Sequence, residues 1–360
     1  MIPLWKLRRE WARLKQQLSA LPERLFEPAA RRRHDAAFKA GFPVHHGAVA
    51  QREKIALILI YQPDGVADSL ILMCAHLVTK GYAPFIVSNT PLTMSDQNRL
   101  LAHAWRLLIR PNFGYDFGGY RDGIRQLARW DITPEHLLVL NDSIWFPLDP
   151  EETLISGLES SPADLTGTIL RQRGEERFLE SYCYMIPAKT VTKKAFQAYW
   201  NELQITSNKY KVIRRGERGF SRAMRAAGLM LAPIYPYEAF FEALGRQDDD
   251  FLKKTLLYAA HAHDEYEAAR QTLLAETASP DWRDRALAHI RATIPREQPY
   301  SAYPFAMVRL FAYPILKMSN DHVAMLWRTA YLRAVEAGDL PPPIDPVRAE
   351  LRCKIQADMA

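Results

Sequence analysis

The stretch Arg110–Leu148, RPNFGYDFGGYRDGIRQLARWDITPEHLLVLNDSIWFPL, decides how the chain is read. It opens with a glycine-rich aromatic turn carrying one acid, Asp116, and its amphipathic middle predicts a helix from Gly118 to Trp130. The apolar strand His136–Leu140 follows and stops abruptly at Asn141-Asp142-Ser143. Open α/β sheets meet their ligands at the carboxyl ends of buried strands. Two polar loops one helix apart therefore point to a single site built from both.

Upstream, Ile55–Tyr61 (IALILIY) is a continuous apolar run, the pattern of a strand covered on both faces. Gln62-Pro63-Asp64-Gly65 reads as a turn, residues 66–80 as a helix ended by Gly81, and Ala83–Val87 as a second strand. A helix over residues 95–106, opened by Ser95-Asp96, and a short strand Leu107–Arg110 complete a β-α-β-α-β-α-β alternation. That alternation predicts an α/β/α sandwich with a mostly parallel sheet. Its parallel strands would carry Ser88-Asn89, the loop from Asn112 to Asp116, and Asn141 to Ser143 to one edge.

Downstream, a helix is expected over Glu151–Leu158, a strand over Asp164–Leu170, and a charged loop over Arg171–Arg177. Cys183–Pro187 reads as a buried strand, Lys193–Leu203 as an aromatic-rich helix, Glu217–Ala227 as a helix stopped by Gly228, and Leu231–Tyr235 as a last short strand. The chain divides into residues 1–53, an amphipathic basic helix and linker; 54–237, the α/β domain; and 238–360, a helical extension. In the first helix, Leu4, Leu7, Trp11, Leu14 and Leu18 share one face, accompanied by Lys6, Arg8, Arg9, Arg13 and Lys15. That composition suits packing on the domain or on a partner, and equally a membrane interface.

The composition is that of an ordinary globular chain, and 360 residues suffice for a substantial core. The net charge of +6 suits an anionic ligand or surface. Basic residues are interleaved with acids outside the N-terminus, so nucleic acid is not indicated. Three scattered cysteines form no CxxC pair and favour a reducing, cytoplasmic compartment. No run reaches the ~18 apolar residues of a membrane span. His45-His46 reads as a solvated loop pair, and Asp248-Asp249-Asp250 as a helix start rather than a metal motif. His261 and His263, at i and i+2 on a helix, would diverge.

The glycines of FGYDFGG are not spaced as GxGxxG and precede no Lys-Ser or Lys-Thr, so neither a dinucleotide fingerprint nor a P-loop is present. Gly114, Gly118 and Gly119 permit positive φ or close backbone approach. Asp116 suits a ribose, a sugar hydroxyl, a cation or a helix cap. Asp142 is placed to hold a divalent cation against a diphosphate, or to belong to a capping Asn-Asp-Ser turn.

FIVSN (85–89), RPNFGYDFGGYRDGI (110–124), LLVLNDSIWFPL (137–148) and, more loosely, FLESYCYMIP (178–187) occur in this order. In them, over roughly residues 54–235, the chain resembles the rhamnan synthesis F family, bacterial glycosyltransferase-like proteins of cell-surface polysaccharide assembly such as O-antigen or capsule. The resemblance implies a GT-A-like Rossmann-type domain over 54–237 and a nucleoside diphosphate sugar donor, by family default dTDP-rhamnose. It further implies a glycan or lipid-linked glycan acceptor, with Mn2+ or Mg2+ the cofactor where a metal is used, and the amphipathic N-terminal helix would hold the chain peripherally at the cytoplasmic face of the inner membrane. Ser88 and Asn89 would lie near the nucleoside, and Arg110, Asn112, Gly114 and Asp116 would line the donor pocket. Asp142, with or without a metal, would meet the diphosphate, assisted by Asn141 and Ser143. Glu180 and Glu217 are the candidates for taking the acceptor's proton, or are ordinary surface or cap acids. Two departures stand out: Asn141-Asp142-Ser143 has one acid where the GT-A Asp-x-Asp motif has two, and Phe178 and Glu180 replace two positions of a His-Leu-Gln-Ser-Tyr-like run. The rival reading is a non-catalytic glycan-binding or scaffolding subunit of the same assembly.

Overall fold

The computed structural model describes residues 26–276, 279–295, 298–319 and 322–359. The helix expected over residues 1–26 lies, except for its last residue, outside the described residues. Helix α1 (residues 26–40) leads into β1 (Val44–His46). Next come β2 (Lys54–Ile60), α2 (Asp68–Thr79), β3 (Ala83–Ser88), α3 (Met94–Leu101), β4 (Arg106–Ile109), α4 (Tyr115–Arg129) and β5 (His136–Asn141). The four strands β4-β3-β2-β5 lie side by side in that order and all parallel. Leu57, midway along β2, pairs with Phe85 of β3 on one side and Val139 of β5 on the other.

The apolar run of β2 serves both faces of the sheet. Ala56, Ile58 and Ile60 pack with Leu70, Met73 and Leu77 of α2 and Leu100 of α3. Ile55, Leu57 and Leu59 pack with Phe117, Tyr120, Ile124 and Leu127 of α4. The expected α/β/α sandwich is therefore present. Because α2 and α3 cover one face and α4 the other, the winding reverses between β2 and β5. A crevice at the carboxyl ends of two such strands is the switch point at which open α/β sheets bind ligands.

The sheet is completed by β6 (Ile144–Trp145) nearby and by β7 (Leu165–Gly167), β10 (Cys183–Pro187) and β11 (Leu231–Pro233) within it. Strand β10 is antiparallel to β5 and β7, and β1 is antiparallel to β4, so the eight-stranded sheet is mostly parallel. Among the described residues no helix is long and apolar enough to cross a membrane.

Several expectations change. His45 and His46 belong to β1, paired with Leu107 and Arg106, so the sheet begins before Lys54. The single strand expected over Asp164–Leu170 is two. β7 stays in the sheet, while β8 (Leu170–Arg173) turns at Gly174, φ +63°, onto β9 (Glu176–Leu179), making a ribbon of the expected charged loop. His261 lies before the helix Asp264–Ala275 rather than on it. Asp248 does cap a helix, accepting from Phe251 N at 2.8 Å. The C-terminal region is helical but adds β12 (Leu316–Lys317), antiparallel to β6. Glu350 ties it to the α/β half, its carboxylate accepting from Trp145 Nε1 at 2.9 Å and Ser69 N at 2.8 Å.

At Gly118 of α4 a methyl group would sit 2.1 Å from the Phe113 carbonyl oxygen, whereas at Gly245 it would meet nothing within 4 Å. Gly118→Ala should lower stability by about 1–3 kcal/mol in urea unfolding, as overpacking does. Gly245→Ala should be neutral or stabilising by up to ~1 kcal/mol.

Candidate functional site

Asp142 sits at the switch point. As β5 ends, Asn141 pairs with Leu59 of β2 and Asp142 N donates to Leu59 O at 3.0 Å. The Asp142 carboxylate then accepts, through Oδ2, from Tyr61 N at 2.6 Å and Gln62 Nε2 at 2.7 Å just beyond β2. Burial pushes its pKa up from 3.8 to about 6, against these two donors and with added repulsion from Asp116.

Asp116 arrives from the first turn of α4. Gly114 caps that helix with φ +89°, a left-handed backbone that suits glycine. Asn141 Nδ2 donates to Asp116 Oδ2 at 3.2 Å, while Asn141 Oδ1 accepts from Ser143 N at 3.2 Å and Ser143 Oγ at 2.6 Å. The Asn-Asp-Ser turn thus caps itself and also binds Asp116. Burial raises the Asp116 carboxyl above the ordinary aspartate range despite Lys317 and Lys209.

The second half of the sheet adds two acids. Glu180 is buried, receiving Arg171 Nη1 at 3.4 Å and Tyr300 OH at 2.7 Å. Glu217 opens the helix Glu217–Ala226, is half-buried, and accepts from Ser181 Oγ at 2.8 Å. Burial first, and then Glu180, pushes the Glu217 carboxyl above its usual range. Lys317 reaches the same group from the C-terminal region. Pairing of Lys317 with Ile144, and Met318 N donating to Ser143 O at 2.8 Å, set its strand beside the Asn-Asp-Ser turn. Its Nζ lies 3.5 Å from the centroid of the Tyr182 ring, within the field of Glu180, Glu217 and Asp116.

The β3 and β4 ends are bonded within the protein. Arg110 is buried. Its Nε donates to Asp122 at 2.7 Å, Nη2 to the Phe113 carbonyl at 2.5 Å, and Nη1 to Asn89 Oδ1. Burial would raise the Asp122 carboxyl, but Arg110 and then His34 hold it below its ordinary range. Asn89 Nδ2 holds the Tyr115 carbonyl at 3.2 Å, and the buried Ser88 hydroxyl donates to Thr90 O at 2.7 Å. These residues shape the loop that presents Asp116. Asn112 is exposed. Gly118 and Gly119 approach Phe113 and Leu59 closely. The reading of the residues missed Gln62, Arg171, Tyr300 and Lys317. Only Gln62, directly after the first strand, carried a positional signal.

At this turn the protein offers a divalent ion two carboxylates, those of Asp142 and Asp116. Among the described residues no three His, Cys, Asp or Glu side chains come together as a metal-binding group. Asp142 Oδ2 already accepts from Tyr61 N and Gln62 Nε2, and Asp116 Oδ2 from Asn141 Nδ2.

The fold and the site together define an α/β protein with a carboxylate-rich site at the switch point of a Rossmann-like sheet. It belongs to the rhamnan synthesis protein F family, whose members it matches over residues 85–264. The uncharacterized protein y4gN of Sinorhizobium fredii is 30% identical over 339 residues, covering 92% of this chain and 88% of that protein. Similar solved structures include a mannosyltransferase from Pyrobaculum calidifontis in complex with GDP-Man and Mn2+ (10% identity, 95% of this chain, 96% of that one, TM-score 0.31). The glycosyltransferase GlyE of Streptococcus pneumoniae also aligns (10% identity, 82% and 66% coverage, TM-score 0.36). So does the galactosyltransferase LgtC in complex with donor and acceptor sugar analogues (9%, 83% and 99%, TM-score 0.33). The fold class itself rests on the strand order described above.

Two outcomes follow for stability. The folded Asp142 carboxyl, at about 6 against 3.8, binds its proton more tightly than in the unfolded chain. Ionising it therefore costs stability that grows between those two values and is constant above them. Asp142→Asn should accordingly raise Tm at pH 8 relative to the parent, with the gain shrinking toward pH 4. Arg110→Met leaves the buried Asp122 with only His34 to face it and should cost about 3–5 kcal/mol in denaturant unfolding.

Proposed function

We propose that the chain is a glycosyltransferase moving a sugar from a nucleoside diphosphate to a hydroxyl of a glycan or lipid-linked glycan, with rhamnose the sugar favoured by the family's description. Family membership supports the class of reaction. The observation that carries the reading is the meeting of acids from both halves of the sheet: Asp142 and Asp116 at the β2–β5 crevice, and Glu180 and Glu217 beyond β10. Peripheral contact with the inner membrane through residues 1–26 belongs to the same proposal and rests on their basic, tryptophan-bearing composition.

In this reading the nucleotide occupies the crevice beside Asp142, and the acceptor hydroxyl approaches Glu217. Glu180 is fixed between Arg171 and Tyr300. Glu217 is half-buried, and its raised carboxyl suits it to take a proton near neutrality. As the acceptor oxygen bonds to the anomeric carbon, its proton passes to Glu217. The bond from that carbon to the diphosphate oxygen breaks, and its electron pair leaves with the diphosphate. Asp116, tied to Asn141, keeps the turn that carries Asp142 in register.

Transfer is measured with purified full-length protein and a panel of nucleoside diphosphate sugars, dTDP-rhamnose included. Glu217→Gln should lower kcat by about 10²–10⁴ with donor KM little changed. In the parent, kcat/KM should fall on the acid side as Glu217 gains its proton, at a pH above the usual 4.5 of a glutamate. That limb should vanish in the variant. Unchanged kcat in Glu217→Gln would remove the base assignment.

A further inference from the structure

We propose that Lys317 supplies the positive charge that faces the donor's diphosphate, so that this site works without a divalent metal. The inference rests on the nucleoside diphosphate reading above.

Every acid around Lys317 is already served by another group. Glu180 takes Arg171 and the Tyr300 hydroxyl, Glu217 takes the Ser181 hydroxyl, and Asp116 takes the Asn141 amide. Lys317 itself, among the described residues, makes no side-chain hydrogen bond and no ion pair; its Nζ rests on the Tyr182 ring at 3.5 Å. An ammonium placed merely to balance the neighbouring acids would be expected to close on one of them. Half-burying a cation with its donors unused by the protein is costly, and a ring face returns only part of that cost. Burial indeed pulls the Lys317 pKa down, against the acids that pull it up.

Geometry supplies the direction. Lys317 is held by two-stranded pairing across from Ile144, with the next residue bonded to the Ser143 carbonyl. The backbone that carries the ammonium is thereby held beside the turn carrying Asp142, which sits at the β2–β5 crevice. A diphosphate entering among carboxylates needs a cation with unspent hydrogen bonds. Lysine meets phosphate as such a point charge with three donors. The same charge would stabilise the departing diphosphate as the glycosidic bond breaks. A resident metal would instead meet the N–H donors of Gln62 and Asn141 at this turn.

The test is calorimetric titration of the full-length chain with UDP, GDP, ADP, CDP and dTDP, each against its nucleoside, in EDTA and then with manganese or magnesium. The expected result is that one nucleoside diphosphate binds in EDTA, with affinity changed less than about threefold by metal. Lys317→Gln should weaken that diphosphate by about 10-fold or more, the loss of a charged hydrogen bond. It should leave binding of the nucleoside unchanged, and Lys317→Arg should retain most of the diphosphate affinity. Binding that requires metal in the parent overturns the inference while leaving the donor reading intact, and it does so even if the glutamine variant fails to fold. Equal diphosphate affinity in a folded Lys317→Gln also overturns it. Absence of any nucleoside diphosphate binding, with and without metal, overturns the donor reading and this inference together.

Discussion

Arg110 ends β4 inside the protein, where its charge is answered by Asp122 of α4 and its other N–H groups reach Asn89 Oδ1, the Phe113 carbonyl and, at 3.3 Å, His34 of α1. Removing either charge would strand the other in a medium that solvates ions poorly, so the parts carrying these groups must assemble together. They are the helix before the sheet, the end of β3, the loop after β4 and the helix following it. The consequence reaches the surface at one place. Asn89, fixed by Arg110, holds the Tyr115 carbonyl, and the next residue is Asp116. An interior ion pair therefore sets where a site acid stands.

The site itself is organised by conflict rather than by pairing. Asp142 and Glu217 are both raised, principally by burial and further by a neighbouring acid. Such groups detract from folding, and their retention is the usual mark of positions selected for chemistry. The sheet tolerates them because its two cores are extensive and continuous through β2 and β5.

How far the sequence revealed this depended on the range of the forces involved. Ile55–Tyr61 could be read at once, because a strand covered on both faces leaves an uninterrupted apolar signature. The turn after Leu140 was equally visible as a polar triplet ending an apolar run. The inward direction of Arg110 was not, since an arginine at a strand end reads alike whether it faces solvent or an aspartate twelve residues later. β1 was hidden for a related reason: its three residues, VHH, become a strand only because β4 offers a free edge. The β8–β9 ribbon looked like a loop because its charges mask a short alternation. Lys317 stood in a two-residue strand whose partner is Ile144–Trp145, and no local periodicity can announce such a pairing.

That last pairing bears on the order in which the protein comes into being. The strands β2 to β5 and their helices are made of near neighbours, whereas β12 closes onto β6 from far along the chain. Contacts of long sequence separation form late, and the N-terminal part of a chain is synthesised first. The acids of the switch point are thus gathered before the ammonium that shares their space arrives. A chain without β12 lacks the Lys317 ammonium beside Glu180, Glu217 and Asp116.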